Sequence, residues 1–236
     1  VAIGNGATSS GDSSTAFGKN TNASGDKSTA MGQITTASGS ISTAMGSSSS
    51  ATADISTAIG SNTQASGIAS TSMGSFTQAS GVASTAMGRN TEASGDASTA
   101  MGDNTIASSD YSLSAGKDSV VRANSENSIA FGNNAIAGLG ISDFNENAAF
   151  GFETLAGGSF GAFAMDWRAF NVGSEGLASG HGSFVSGHGS GALGEGVSVT
   201  DIAAGIIQTS VGIPSTSFQL INVIGGANIQ PGDTVY

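Results

Sequence analysis

The sequence has no cysteine, two prolines and one tryptophan in 236 residues, and only 10% of its side chains are charged. Without cysteine no disulfide holds the fold, which fits a secreted protein that avoids disulfides as well as it fits a cytosolic one. Six Lys and Arg against 17 Asp and Glu leave a net charge of −11. Such a chain is a poor partner for nucleic acid, whose phosphates attract cations, and for anionic lipid surfaces. The longest aliphatic stretch, Ile202 to Ile207, falls far short of the roughly 20 residues that cross a bilayer, and no signal peptide is visible. Residue 1 lies inside a repeat, because Val1-Ala2-Ile3-Gly4 is the end of a motif. This predicts a fragment whose targeting and anchoring segments lie outside it. Low charge and few large side chains are also marks of disorder, but a disordered chain has no need of a fixed period, and this one has one.

Glycine recurs at positions 4, 18, 32, 46, 60, 74, 88, 102 and 116, always 14 residues apart. The pattern around it reads Ser-Thr-Ala-Met-Gly, two variable residues, then Thr-x-Ala-Ser-Gly and two more; Ser84 to Ala97 is a clean copy. Fourteen residues hold two short strands and two tight turns, and are too few for a helix-turn-helix unit of about 34. Glycine belongs where a turn needs positive φ or close backbone approach. Asn20, Asn62, Asn90 and Asn104, two residues after the motif glycine, and Asp12, Asp26, Asp54 and Asp96, just after the second glycine position, are turn formers with local hydrogen bonds. Each repeat therefore reads as one coil of a flattened β-solenoid, stacked on the next at about 4.8 Å.

Side chains alternate between the faces of a strand. In Ser-Thr-Ala-Met-Gly one face carries Thr with Phe17, Met31, Met45, Ile59, Met73, Met87, Met101 and later Phe131, while the other carries Ser and Ala. Neither face is charged, so the strand is expected to be covered on both sides, and the large residues are expected to form the core of the roll or of a trimer. In the second strand Thr and Ala share one face, and Asn22, Thr36, Ser50, Gln64, Gln78, Glu92 and Ile106 make the other, expected to be solvated. A strand covered on its outer side needs a neighbour, and the simplest is the same strand of other copies around an axis.

These motifs, from Val1-Ala2-Ile3-Gly4 through the Ser-Thr-Ala-Met-Gly copies to Ser128-Ile129-Ala130-Phe131-Gly132, resemble the head repeat of trimeric autotransporter adhesins, the YadA-like head. The resemblance covers residues 1–132 strongly and parts of 133–198 weakly. It implies an all-β fold, a left-handed parallel β-roll (β-solenoid) of 14-residue coils, with three chains around one axis and a role in binding host or environmental surfaces. Thr stands where the family has Val, and Met where it has Ile. The chain divides into a regular roll (1–132), irregular coils with loop insertions (133–196) and a C-terminal β cap or connector (197–236).

After Gly116 the period loosens, with motif glycines expected at 132, 151, 173 and 187. Leu139 to Asn147 and Phe152 to Arg168 are then candidate protrusions. They carry or border Phe144, Phe152, Phe163, Trp167 and Phe170, candidates for surface binding, since exposed aromatics anchor interfaces; the competing reading plugs these rings into the trimer core. Two coils resume at 169–182 and 183–196. Ser217 to Ile224 reads as a strand and Pro231-Gly232-Asp233 as a turn.

His181 and His188, in two Gly-His-Gly units seven residues apart, are the candidate metal ligands, because one from each of three chains would make a ring of nitrogens. Further ligands are missing, so no metal and no cofactor is expected. Asp143, Glu146, Glu153, Asp166 and Glu175 are set by no spacing into a glycosidase pair, and Gly187 to Gly196 lacks the Gly-Lys-Ser/Thr of a phosphate loop; no enzyme is expected. The Thr15–Thr99 and Thr21–Thr105 columns are expected to point away from solvent, against an ice-binding array. The leading expectation is a homotrimeric extracellular adhesin head at a cell surface, contacting a surface receptor, matrix protein or glycan. Beside it stand a receptor-binding or spacer part of a phage tail fibre on a virion and a purely structural spacer.

Overall fold

A computed structural model describes residues 1–139, 146–158, 161–199 and 207–209. Among them there is no helix. The chain winds as a parallel β-solenoid of two sheets. One holds fifteen strands and the other fourteen, and each strand pairs with the strand one coil away. A long strand such as Thr85–Arg89 alternates with a two-residue strand such as Glu92–Ala93. Residues fourteen apart lie side by side, Thr71 with Thr85, Met73 with Met87 and Gly74 with Gly88.

The motif glycine is fixed by two separate demands. Gly88 has φ of 127°, a backbone that side-chain-bearing residues rarely adopt. A Cβ there would also lie 2.0 Å from the carbonyl oxygen of Gly102 in the next coil. Both turns of the coil use left-handed residues, and they recur every seven positions, as at Ser13, Asn20, Lys27 and Ile34. Asparagine at positions 20, 62, 90 and 104 suits this conformation because its short polar side chain tolerates it.

The roll interior is made of small residues. Ala16, Ala30, Ala44 and their equivalents from the long strands meet Ala23, Ala37, Ala51 and theirs from the short strands, all buried. The Ser14 and Thr21 columns close its two ends, and Ser14, Ser56, Ser84, Ser98 and Ser112 donate their hydroxyls to the carbonyl three residues earlier. An interior lined with methyl and hydroxymethyl groups lets the two sheets approach closely. The large residues expected in the roll core are not there. Phe17, Met31, Met45, Ile59, Met73, Met87, Met101 and Phe131 all lie on the outer face of the long sheet, half-buried or exposed, with Phe17 50% and Phe131 54% accessible. The Thr15–Thr99 column shares that outer face with them, whereas the Thr21–Thr105 column is buried in the roll as expected. Alternation assigned each side chain correctly to a face; the inward face is the one with the smaller side chains, Ala, Ser and Thr in the regular half and nothing larger than the Val and Asn of Val121, Asn147, Asn171 and Val185 farther on.

The period does not break after Gly116; it lengthens in one place only. From Thr15 on, long and short strands start seven residues apart in each coil, as Thr15 and Asn22, Ala148 and Leu155, Gly191 and Ser198. Extra residues enter at the turn after the short strand. There Leu113 pairs with Ile129, Ile129 with Ala148, Ala148 with Phe163 and Gly191 with Ile207. The described residues of 152–168 are therefore not a protrusion but part of the roll. Leu155–Ala156 and Phe163–Met165 continue the two sheets. Gly173 and Gly187 belong to the second glycine column, facing Gly158 and each other. Asp166, with φ of 97°, takes the motif position between Gly151 and Gly180. The roll also continues past Val197, through Ser198–Val199 and Ile207–Thr209. Phe144, Asp143, the Ser217–Ile224 segment and the Pro231-Gly232-Asp233 turn lie outside the described residues, as does most of the insertion after Leu139.

Candidate functional site

Three outer surfaces carry side chains that the fold itself does not need. The first is the outer face of the long sheet. Its two columns read Thr and chiefly Met through Met101, and then turn apolar with Leu113, Ile129, Phe131, Phe150, Phe163 and Leu177, as far as Ser179. Rings of successive coils touch here. Phe131 and Phe150 have centroids 6.5 Å apart, and Phe150 and Phe163 5.7 Å. The stripe runs the length of the roll and bears no charge.

The second is the outer face of the short sheet. It is polar from Thr8 to Glu92 and apolar from Ile106 on, through Val120, Ile136, Leu155, Phe170 and Phe184. The expected solvated face thus holds only for the first half. Ile106 was the visible signal, and the later residues were hidden by reading the period as broken.

The third is the edge made by the turn after the long strand. The position following the motif glycine is Arg89, Asp103 and Lys117 in consecutive coils, and Arg89 Nε donates to Asp103 at 2.9 Å. That hydrogen bond, with the charge behind it, holds the Asp103 carboxyl below its ordinary range and raises the Arg89 guanidinium. Beside it Asn90 donates to Asn104 at 2.6 Å and Asn104 to Asp118 at 2.7 Å, and with Phe76 these residues line a shallow groove. Farther along, the same position carries Phe152, Trp167 and His181. Phe152 meets Trp167 edge-on with centroids 5.6 Å apart; His181 lies parallel to Trp167 at 5.1 Å. Arg168 sits 5.8 Å from the Trp167 centroid and donates to Glu153 at 2.6 Å. Trp167, neighboured in the coils on either side, remains 48% accessible.

The five aromatic candidates do not form one cluster. Phe152 and Trp167 touch; Phe163 is on the long-sheet face and Phe170 on the short-sheet face. The two histidines lie on opposite edges, because seven residues are half a coil. His181 is 3.9 Å from Glu195 and His188 3.6 Å from Glu175. No three His, Cys, Asp or Glu converge among the described residues.

A parallel β-solenoid of 14-residue coils with Ala inside and a long apolar column outside defines a stacked-repeat β-roll module. The YadA head domain repeat (2 copies) matches residues 1–21, 23–40, 37–63, 65–91, 93–119 and 122–137, more than half of the sequence, and the chain belongs to this family. No curated protein sequence matches it.

Proposed function

We propose that the chain is the head of a trimeric extracellular adhesin, displayed at a cell surface and binding host or environmental surfaces, with no catalytic role. The carrying observation is the uncharged long-sheet face. A contiguous stripe of Met, Ile and Phe along successive coils, left open on a single chain, is the kind of apolar surface that marks an interaction site. Three copies around an axis would cover it, and membership of the YadA head family supports that arrangement. On this reading Phe163 faces the axis, whereas Phe152, Trp167 and the short-sheet stripe through Phe170 point outward in the second half of the roll. The receptor, a cell-surface or matrix protein or a glycan, then meets those outward rings, where aromatic anchors are energetically strongest.

Sedimentation of the isolated chain tests the assembly: a trimer is expected, and a folded monomer overturns it. Binding of the same chain to cells, matrix protein and a glycan array tests the adhesin. If all binding resides in flanking domains, the chain is a spacer instead. A flanking virion-attachment domain would assign the same coil to a phage tail fibre. The outer-face Thr15–Thr99 ladder keeps one further reading open to test. Thermal hysteresis by the chain would make that ladder an ice-facing array.

A further inference from the structure

The regular half of the roll carries an apolar ridge on the edge formed by the turn after the short strand. Ile41, Ile55, Ile68, Val82 and Tyr111 are between 46% and 66% exposed there. Ala69, Ala83 and Ala97 fill the turn positions between Ile55 and Tyr111. Ile41 and Ile55 hold left-handed backbone, with φ of 59° and 60°. A β-branched residue in that region is a true outlier, and strain of this kind collects where a surface has work to do. Equivalent positions elsewhere are Ser13, Lys27 and Asn127. Ile34 on the opposite edge shares this backbone, with φ of 57°, and this exposure, so what sets the present edge apart is the run of such residues rather than the strain of any one. The opposite edge of the regular half has only Ile34 and Phe76, each isolated between polar neighbours. Isolated exposed apolar residues are ordinary; a run along consecutive coils is not.

Three observations say what fits the ridge. It lies on the edge that takes every length change of the repeat, from Leu113 with Ile129 to Gly191 with Ile207, so this is the edge least constrained by packing. The turn tips beside it are mainly acidic: Asp12, Asp26, Asp54, Asp96, Asp110 and Glu126, against Lys27 and Arg122. Four of these carboxylates are held in place by accepting the backbone N–H one coil below, Asp26 from Asp12, Asp54 from Ser40, Asp96 from Val82 and Asp110 from Asp96. A membrane with anionic lipid is repelled by that flank. A second copy presenting the same edge would set carboxylate against carboxylate. A surface of opposite sign is what complements it.

We propose that this edge is a second docking surface, separate from the axis and from the outward rings. Its partner is a protein whose contact is an apolar strip bordered by Lys and Arg. The probe is a synthetic peptide alternating Leu with Lys, compared with one alternating Leu with Glu, measured by fluorescence anisotropy. The targets are the whole chain, its Ile41→Asn/Ile55→Asn variant and, as a control on the other edge, Ile34→Asn. The Leu-Lys peptide is expected to bind the chain and the control alike, and the double variant at least about tenfold more weakly. The double variant should keep or raise its Tm, because Asn suits left-handed backbone. Equal binding to all three, or equal binding of the Leu-Glu peptide, overturns the proposal. A fall in Tm together with loss of the trimer also overturns it, by showing the ridge buried between copies. A chain that is monomeric throughout yet binds as expected would fail the trimer reading and leave this edge standing.

Discussion

Ser72 and Thr77 meet inside the roll, Oγ to Oγ1 at 2.7 Å, and the Ser72 hydroxyl also reaches the Thr77 carbonyl oxygen at 2.8 Å. Ser72 stands where the next coil has Ala86. In that coil the equivalent hydroxyl, on Thr91, is buried with no partner. Ser72→Ala should therefore cost about 1 kcal/mol, the net worth of a hydrogen bond. Ala86→Ser should gain a similar amount by giving Thr91 the missing partner. Chemical denaturation of both variants checks the pair of opposite signs.

Gly88→Ala places a methyl group against the Gly102 carbonyl on left-handed backbone. A loss of about 2–4 kcal/mol is expected, combining backbone strain with a steric clash. In the second glycine column a Cβ at Gly81 would also lie 2.0 Å from a carbonyl oxygen, that of Gly95, but Gly81 lacks the positive φ of Gly88 and Ala53 already occupies this column beside Gly39. Gly81→Ala should cost less than Gly88→Ala when the two are unfolded side by side.

Met87→Glu puts a charge in the middle of the long-sheet stripe without touching the Ala interior. The coil should persist by circular dichroism while sedimentation shifts from trimer to monomer, since an unpaired charge buried at an interface costs several kcal/mol. A trimer of undiminished stability would remove the stripe from the interface.

Trp167→Ala and Phe163→Ala should separate two surfaces that a sequence places close together. The first is expected to weaken surface binding at unchanged assembly. The second should weaken assembly, because Phe163 packs on Phe150 on the long-sheet face. Binding and sedimentation measured on both variants check the distinction.

Asp103 has a folded-state pKa held down chiefly by the hydrogen bond from Arg89. A depressed carboxyl stabilises the fold above its unfolded value, about 3.9, and that stabilisation is lost as pH falls through the lower folded value. Asp103→Asn should flatten the acid limb of Tm against pH. The effect should be small and shrink at about 1 M salt, where the screening length is about 3 Å, because both partners are open to solvent.

The coil was legible in the sequence because its period is carried by glycines that nothing else can replace. Faces were legible too, since Thr85 and Met87 alternate with Ala86. The inward direction was not, because a roll this thin reverses the usual rule and hides Ala while showing Met. The second half was misread for a different reason. Asp166 fills the glycine position, and Gly173 and Gly187, half a coil out of phase, look like motif glycines. Proximity of Trp167 to His181 was invisible for the same reason, since it depends on counting fourteen from a residue that is not glycine. The Ile41–Ile55 ridge was missed because turn residues were read only for their hydrogen bonds.

The constant seven-residue step between long and short strands gives the roll a modular ruler. Because every coil repeats the same register, removing one repeat between two identical motif positions rejoins Thr to Thr and Gly to Gly, as already seen for Thr71 with Thr85 and Gly74 with Gly88. Unequal recombination between repeats would then change fibre reach in increments of about 4.8 Å while every hydrogen-bond ladder closes as before. Length can drift freely in a population of such genes, and the edge that tolerates insertions can diversify independently of it.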